Sequence, residues 1–190
     1  MKNTGRTLTD SALRAPHSAL AFVALGSNLG DSRHIILDAM ARLQAFSEEP
    51  ILKSSLWQTS PVDCPPESPK FMNAMVGLVP RAGETPESLL AKLQSLEKEF
   101  GRQTKKVLNE PRPLDLDLIA FGNEIRPAAP KRSEGGNSQE LTLPHPRAHL
   151  RRFVLQPLSE IAPELILPGQ EKSVSELLAE LPADETVMRI

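Results

Sequence analysis

The segment Leu114-Asp115-Leu116-Asp117-Leu118-Ile119-Ala120-Phe121 is apolar enough for a buried strand, yet it carries two carboxylates at i and i+2. A strand points alternate side chains to opposite faces, so both aspartates share one face, about 6.6 Å apart along the backbone. At an effective dielectric near 20, two such charges repel by about 2.5 kcal/mol. A buried strand does not tolerate that without a compensating cation. Arg112, three residues upstream, supplies part of the positive charge. An all-carboxylate, hard-oxygen donor set points to Mg²⁺, which is usually held by one or two carboxylates and completed by substrate phosphates. Taken by itself, the segment equally fits a strand end whose aspartates face solvent.

The rest of the chain alternates strands and helices around this segment. Residues 20–25 form a continuous apolar run, the pattern of a central strand. Gly26-Ser27-Asn28-Leu29-Gly30-Asp31 breaks it, with Asp31 placed to cap a helix. Ile36, Ala39, Met40, Leu43 and Phe46 recur at helical spacing and predict that helix over 32–46. A strand over 51–58, a Pro-rich loop over 60–69 and a strand over 71–79 come next. Thr85 caps a second helix, with Pro86 at its first position and Gly101 just past its end. The order is β-α-β-β-α-β, an α+β, ferredoxin-like core in which helices back an antiparallel sheet. C-terminal additions complete the chain: the short apolar run 141–143 and helices near 147–161 and 172–181. Residues 123–140 read as a surface insertion and residues 1–19 as a disordered leader, leaving 20–190 as a single domain.

Charge excludes several functions. Twenty-two Lys and Arg against 24 Asp and Glu give a formal charge of −2, and aromatics are 4% of the chain. The chain as a whole therefore lacks the electrostatic footprint of a nucleic-acid binder and the stacking surface of a single-strand binder. No run approaches 18 uninterrupted apolar residues, so no membrane span is expected. The single cysteine, Cys64, rules out an internal disulfide and agrees with a reducing cytoplasm.

Between Phe100 and the aspartate strand, residues 101–112 hold the cations Arg102, Lys105, Lys106 and Arg112. A basic loop leading into paired carboxylates suits a polyphosphate bridged by Mg²⁺, with Arg forks and Lys point charges on the phosphate oxygens. A solvated charged loop is the plainer alternative. Neither a G-x-x-x-x-G-K-[ST] loop nor a dinucleotide fingerprint is present, so a nucleotide must be held by another device. The four histidines lack metal-ligand spacing. His145 has its backbone pinned between Pro144 and Pro146, which a rigid turn explains as well as a ligand role would.

Seven segments, in order, resemble the hydroxymethyldihydropterin pyrophosphokinase family. They are residues 24–30 (Ala-Leu-Gly-Ser-Asn-Leu-Gly), 59–61 (Thr-Ser-Pro), 71–74 (Phe-Met-Asn-Ala), 97–102, 111–118 (Pro-Arg-Pro-Leu-Asp-Leu-Asp-Leu), 141–147 (Leu-Thr-Leu-Pro-His-Pro-Arg) and 153–158 (Phe-Val-Leu-Gln-Pro-Leu). The resemblance implies a ferredoxin-like enzyme of folate biosynthesis. Such an enzyme moves the β,γ-diphosphate of ATP to a reduced pterin alcohol, releasing AMP. It further implies that Asp115 and Asp117 hold two Mg²⁺ ions and that Arg102 and Arg112 neutralise the transferring group. Gln94, Glu97, Lys105, Arg112, His145 and Arg151 correspond to nucleotide contacts. Thr59, Val62, Phe71, Asn73 and Phe153 correspond to the pterin pocket. A flat heteroaromatic ring suits two aromatic walls with a few convergent hydrogen bonds.

Some positions depart from the family pattern. Asn109 stands where many members carry a lid tryptophan, Glu110 where glycine is usual, and Thr104 where a second arginine is common. None removes a metal ligand or the two arginines. The sequence thus reads as a monomeric, cytoplasmic pyrophosphokinase that uses ATP, Mg²⁺ and a reduced pterin alcohol, with neither nucleic acid nor membrane as partner. The alternative reading is a non-catalytic ferredoxin-like module that binds a nucleotide or metal.

Overall fold

Strand β1 (Ala21–Ser27) lies inside the sheet because both of its faces are apolar. A computed structural model describes residues 19–60, 69–102, 110–127, 141–182 and 187–190. In it β1 pairs antiparallel with β4 (Phe71–Leu78) on one side and β5 (Asp115–Phe121) on the other. β4 also takes the short strands β2 (Leu52–Lys53) and β3 (Trp57–Thr59), and β3 takes β6 (Val187–Arg189). The resulting order is β5-β1-β4-β3-β6, with β2 beside β4. Its core is the antiparallel order expected of a ferredoxin-like β-α-β-β-α-β chain.

Two helical layers cover the two faces. Val23, Leu25, Ala74, Val76, Leu116 and Leu118 face α1 (Ser32–Leu43) and α2 (Pro86–Glu99), packing on Ile36, Met40, Leu43, Leu89, Leu93 and Leu96. Phe22, Met75 and Ile119 face α3 (Arg152–Ile161) and α4 (Val174–Glu180), packing on Val154, Leu155, Leu158 and Val174. The C-terminal additions are therefore the second layer of the core. They explain why β1 and β4 are apolar on both faces rather than alternating.

The helix ends follow their capping chemistry. Asp31 accepts the His34 N–H to open α1. Thr85 and Ser88 exchange bonds at the start of α2, with Pro86 in its first turn. Gly101, at φ +88°, ends α2 in the left-handed region that a β-carbon disfavours.

Four details differ from the sequence expectation. The helix expected over 32–46 stops at Leu43 and tightens into a 3₁₀ turn over Gln44–Phe46. The strand expected over 51–58 is two strands, because the Ser54 hydroxyl accepts the Met75 N–H (2.9 Å) in place of a ladder carbonyl. The helix expected from 147 begins at Arg152, after a 3₁₀ turn over Ala148–Leu150. β6, which extends the edge beyond β3, has no counterpart in the sequence reading. The leader's residues 1–18 and the insertion's residues 128–140 lie outside the described residues.

Candidate active site

One end of the sheet gathers the chemistry. β1 ends there and its antiparallel neighbours begin there, so Gly26 lies opposite both Asn73 of β4 and Asp115 of β5. β3 ends at the same place, with Thr59 opposite Phe71. Leu116 and Leu118 enter the core under α1 and α2. Asp115 and Asp117 therefore turn to the other face, on which Ile119 packs. Gly26 leaves that face open: a β-carbon there would stand 3.5 Å from Asn73 Oδ1 and 3.8 Å from the Asp115 β-carbon.

The two aspartates are compensated very differently. Asp115 Oδ1 is 2.7 Å from Arg102 Nη1, and its Oδ2 is 2.6 Å from Arg112 Nη2. Asp117 has no ion pair among the described residues. Burial, then the neighbouring Asp115 charge, raises its carboxyl above the usual range, while His145, Arg112 and Arg151 pull the other way. Burial likewise pushes the His145 imidazole below its ordinary value, opposed by Asp117 and assisted by Arg151 and Arg147. His145 follows a cis Leu143–Pro144 bond and donates its N–H to the Ile119 carbonyl (2.8 Å).

Among the described residues, no three His, Cys, Asp or Glu side chains group to hold a metal alone. Two carboxylates on one strand face, one with no ion pair among the described residues, instead fit a Mg²⁺ site completed by ligand oxygens.

The arginines show what is still to be bound. Arg112 stacks over the Phe71 ring, 5.7 Å from its centroid, and its Nε and Nη1 are buried without hydrogen-bond partners. Buried donors in folded proteins are almost always paired, so two orphans on one guanidinium mark a place for an acceptor. Arg102 pairs with both Glu97 and Asp115. Arg151 lies 5.3 Å from the Phe153 ring centroid, at the start of α3.

Thr59 and Asn73 meet as a buried pair, Asn73 Nδ2 donating to Thr59 Oγ1 at 2.7 Å. Glu97 is 5% exposed, and its Oε1 accepts the Leu116 N–H at 2.7 Å. Its carboxylate thus ties α2 to the outer edge of β5 between the two aspartates. Burial pushes the Glu97 carboxyl up to about 7, against the Leu116 hydrogen bond and the Arg102 charge. Gln94 sits one turn earlier on α2, half-buried. Val62 and Lys105 lie outside the described residues, as do Thr104 and Asn109. Gly26 and Asn28 belong to this end of the sheet although the sequence assigned them no role. The signal was their place in a polar break directly after a buried strand.

Residues 22–163 match the family model described as 7,8-dihydro-6-hydroxymethylpterin-pyrophosphokinase. The chain belongs to this family. Pyrophosphokinase relatives span nearly the same length. The chain is 33% identical to the 2-amino-4-hydroxy-6-hydroxymethyldihydropteridine pyrophosphokinase of Haemophilus influenzae over 173 residues, 90% of this chain and 97% of that one. It is 35% identical to the protein of the same name from Pseudomonas aeruginosa, over 85% of this chain and 91% of that one. It is also 34% identical to the folic acid synthesis protein fol1 of Pneumocystis carinii, but spans only 19% of that longer protein.

Among solved structures, an HPPK-DHPS in complex with substrates superposes with a TM-score of 0.64 at 14% identity, covering 84% of this chain and 42% of that one. Plasmodium falciparum HPPK-DHPS with SDX-DHP gives a TM-score of 0.68 at 13% identity, covering 85% and 44%. At that identity the likeness concerns the fold. The chain spans less than half of these fused proteins.

Proposed function

We propose that this pyrophosphokinase-family chain transfers the β,γ-diphosphate of ATP to the hydroxymethyl group of 6-hydroxymethyl-7,8-dihydropterin. The observation that carries the reading is Arg112. Two of its N–H groups are buried and unpaired, beside paired carboxylates and over an aromatic ring. A phosphate oxygen satisfies such donors, and a polyphosphate bridging Arg112 to a metal on Asp115 and Asp117 satisfies all three groups together.

In the reaction the pterin hydroxyl oxygen attacks the β-phosphorus in line. The new O–P bond forms as the α,β-bridging bond breaks, and AMP departs with the bridging oxygen. The hydroxyl proton is lost to solvent. Arg112 and Arg102 sit where negative charge on the transferring group needs neutralising, and preorganised cations of this kind lower the barrier because they need no rearrangement. Asp115 and Asp117 would hold Mg²⁺, taken here as two ions, which would supply Lewis-acid polarisation of phosphate and hydroxyl oxygens. No side-chain base is then required.

In this reading Phe71 and Phe153 supply aromatic faces for the pterin, and Asn73 with Thr59, which lies opposite Phe71, supplies polar groups. His145 and Arg151 lie on the Asp117 side, where the nucleotide phosphates enter this reading. Gln94, Lys105 and Val62 remain in their sequence-assigned roles.

Incubation with ATP, Mg²⁺ and the reduced pterin alcohol tests this directly. Equal amounts of AMP and pterin diphosphate are expected. ADP would mean transfer of the γ-phosphoryl group and a different substrate pose. ATP binding without either product would favour the non-catalytic module.

A further inference from the structure

We infer that Asn28 is a positioning residue for Arg112, fixing where its guanidinium lies by clamping its backbone from the end of β1. The inference rests on the proposed function only in taking Arg112 to contact the transferred diphosphate.

The clamp is reciprocal. Asn28 Oδ1 accepts the Arg112 N–H at 2.9 Å, and the Asn28 N–H donates to the Arg112 carbonyl at 3.2 Å. One residue thus takes both backbone polar groups of a residue 84 positions away. Two antiparallel bonds fix position and orientation together, since neither group can turn without breaking one of them. The flanking sequence leaves no alternative donor. Arg112 stands between Pro111 and Pro113, so it carries the sole backbone N–H of residues 111–113. Asn28 is 3% exposed, which keeps water from competing for that bond.

The second end of the Asn28 amide reaches the aromatic partner of Arg112. Asn28 Nδ2 donates to the Pro69 carbonyl at 3.5 Å, a long bond, two residues before Phe71. Arg112 stacks on Phe71, so the same amide holds the Arg112 backbone directly and the chain two residues before its aromatic partner. An asparagine can do this because it offers an acceptor and a donor on one planar group. Below it, the buried Ser27 hydroxyl donates to Ser32 Oγ at 2.9 Å, anchoring the strand end to the first residue of α1.

A clamp matters because the guanidinium uses only part of its own bonding capacity. Its described ion pair is to Asp115, and Nε and Nη1 are unsatisfied. Buried unpaired donors favour any movement that brings them to water. With the backbone fixed, the Asp115 ion pair and the Phe71 stack keep those donors in the site. The polar break Gly26-Ser27-Asn28-Leu29-Gly30 accordingly braces an arginine through Asn28, whose N–H is engaged by the Arg112 carbonyl.

The test compares wild type, Asn28→Ala, Arg112→Ala and the double variant. It reads kcat, the Kd for ATP and amide hydrogen exchange by NMR. Asn28→Ala is expected to lower kcat about 10- to 100-fold, as for a displaced catalytic group, with little change in the Kd for ATP. The Arg112 amide should lose exchange protection while Leu116 and Leu118 keep theirs. The double variant should be no slower than Arg112→Ala, because a residue acting through another has nothing further to lose. Wild-type kcat in Asn28→Ala, or losses that multiply in the double variant, would overturn the inference. Should Asn28→Ala fail to fold, Asn28→Asp keeps the accepting oxygen: retained Arg112 amide protection supports the clamp and lost protection overturns it. If Arg112→Ala itself turns over at the wild-type rate, the contact of Arg112 with the transferred diphosphate has failed although the reaction stands, and the exchange measurement alone decides the clamp.

Discussion

Glu97→Gln will stabilise the metal-free protein at pH 8 far more than at pH 5. The Glu97 carboxyl is pushed up to about 7, because burial disfavours its charged form more than the Leu116 N–H and Arg102 favour it. The folded chain thus holds this proton more tightly than the unfolded chain, where the carboxyl titrates near 4.5. Stability from this group is complete below 4.5, falls as pH rises toward 7, and is fully lost above 7. The gap, at 1.36 kcal/mol per pH unit, corresponds to about 3 kcal/mol at pH 8 and about 1 kcal/mol at pH 5.

Gln keeps an oxygen for the Leu116 N–H and has no charge to bury. Its advantage over wild type should therefore widen by about 2 kcal/mol between the two pH values. Urea unfolding in EDTA, followed by far-UV circular dichroism and Trp57 fluorescence, measures it. Losing the Arg102 ion pair adds an offset in the comparison at either pH, so the widening is the quantity to read. Parallel stability curves for the two proteins would show that Glu97 ionises normally in the fold, and the reasoning would be wrong.

Asp117→Asn should abolish turnover at saturating Mg²⁺ while raising the thermal midpoint of the metal-free protein, since burial and Asp115 both oppose the Asp117 charge; near-normal turnover would refute the metal assignment. Arg112→Ala should lower kcat by about 100- to 1,000-fold with an unchanged circular dichroism spectrum, the loss typical of removing a donor aimed at transition-state charge; a rise in KM alone would assign it to ground-state binding. Leu93→Ala, at a fully buried position on α2, should cost about 2–5 kcal/mol in urea unfolding by leaving a cavity under the sheet; a cost below about 1 kcal/mol would mean that the layers repack freely.

Much of the fold was legible because the deciding interactions are local. The Asp-Leu-Asp-Leu alternation placed β5 at Asp115–Phe121 and both carboxylates on one face. Asp31, Thr85 with Pro86, and Gly101 marked helix ends through bonds within a few residues of themselves. The pairing of Arg112 with Asp115 followed from a cation three residues before that strand, whereas the contact of Arg102 with Asp115 appears only in the folded chain. The roles of Thr59, Phe71, Asn73, His145, Arg151 and Phe153 came from resemblance, since no period or spacing distinguishes a Phe over an arginine from a Phe in a core.

Other features depend on residues far apart in the chain, and no local pattern encodes them. The Ser54 hydroxyl divides one expected strand into two only because Met75 presents an N–H to it. Glu97 looks like any helix carboxylate until α2 packs on β5 and its oxygen meets the Leu116 N–H. Asn28 is one polar residue in a turn until β1 and the Pro-Arg-Pro run are brought side by side across 84 positions. The sequence by itself determined which residues could carry charge and which face of a strand they take, because periodicity and capping act over a few residues. Only the tertiary structure decided which of those groups are buried, paired or left with open donors, because burial and pairing are set by what packs against them.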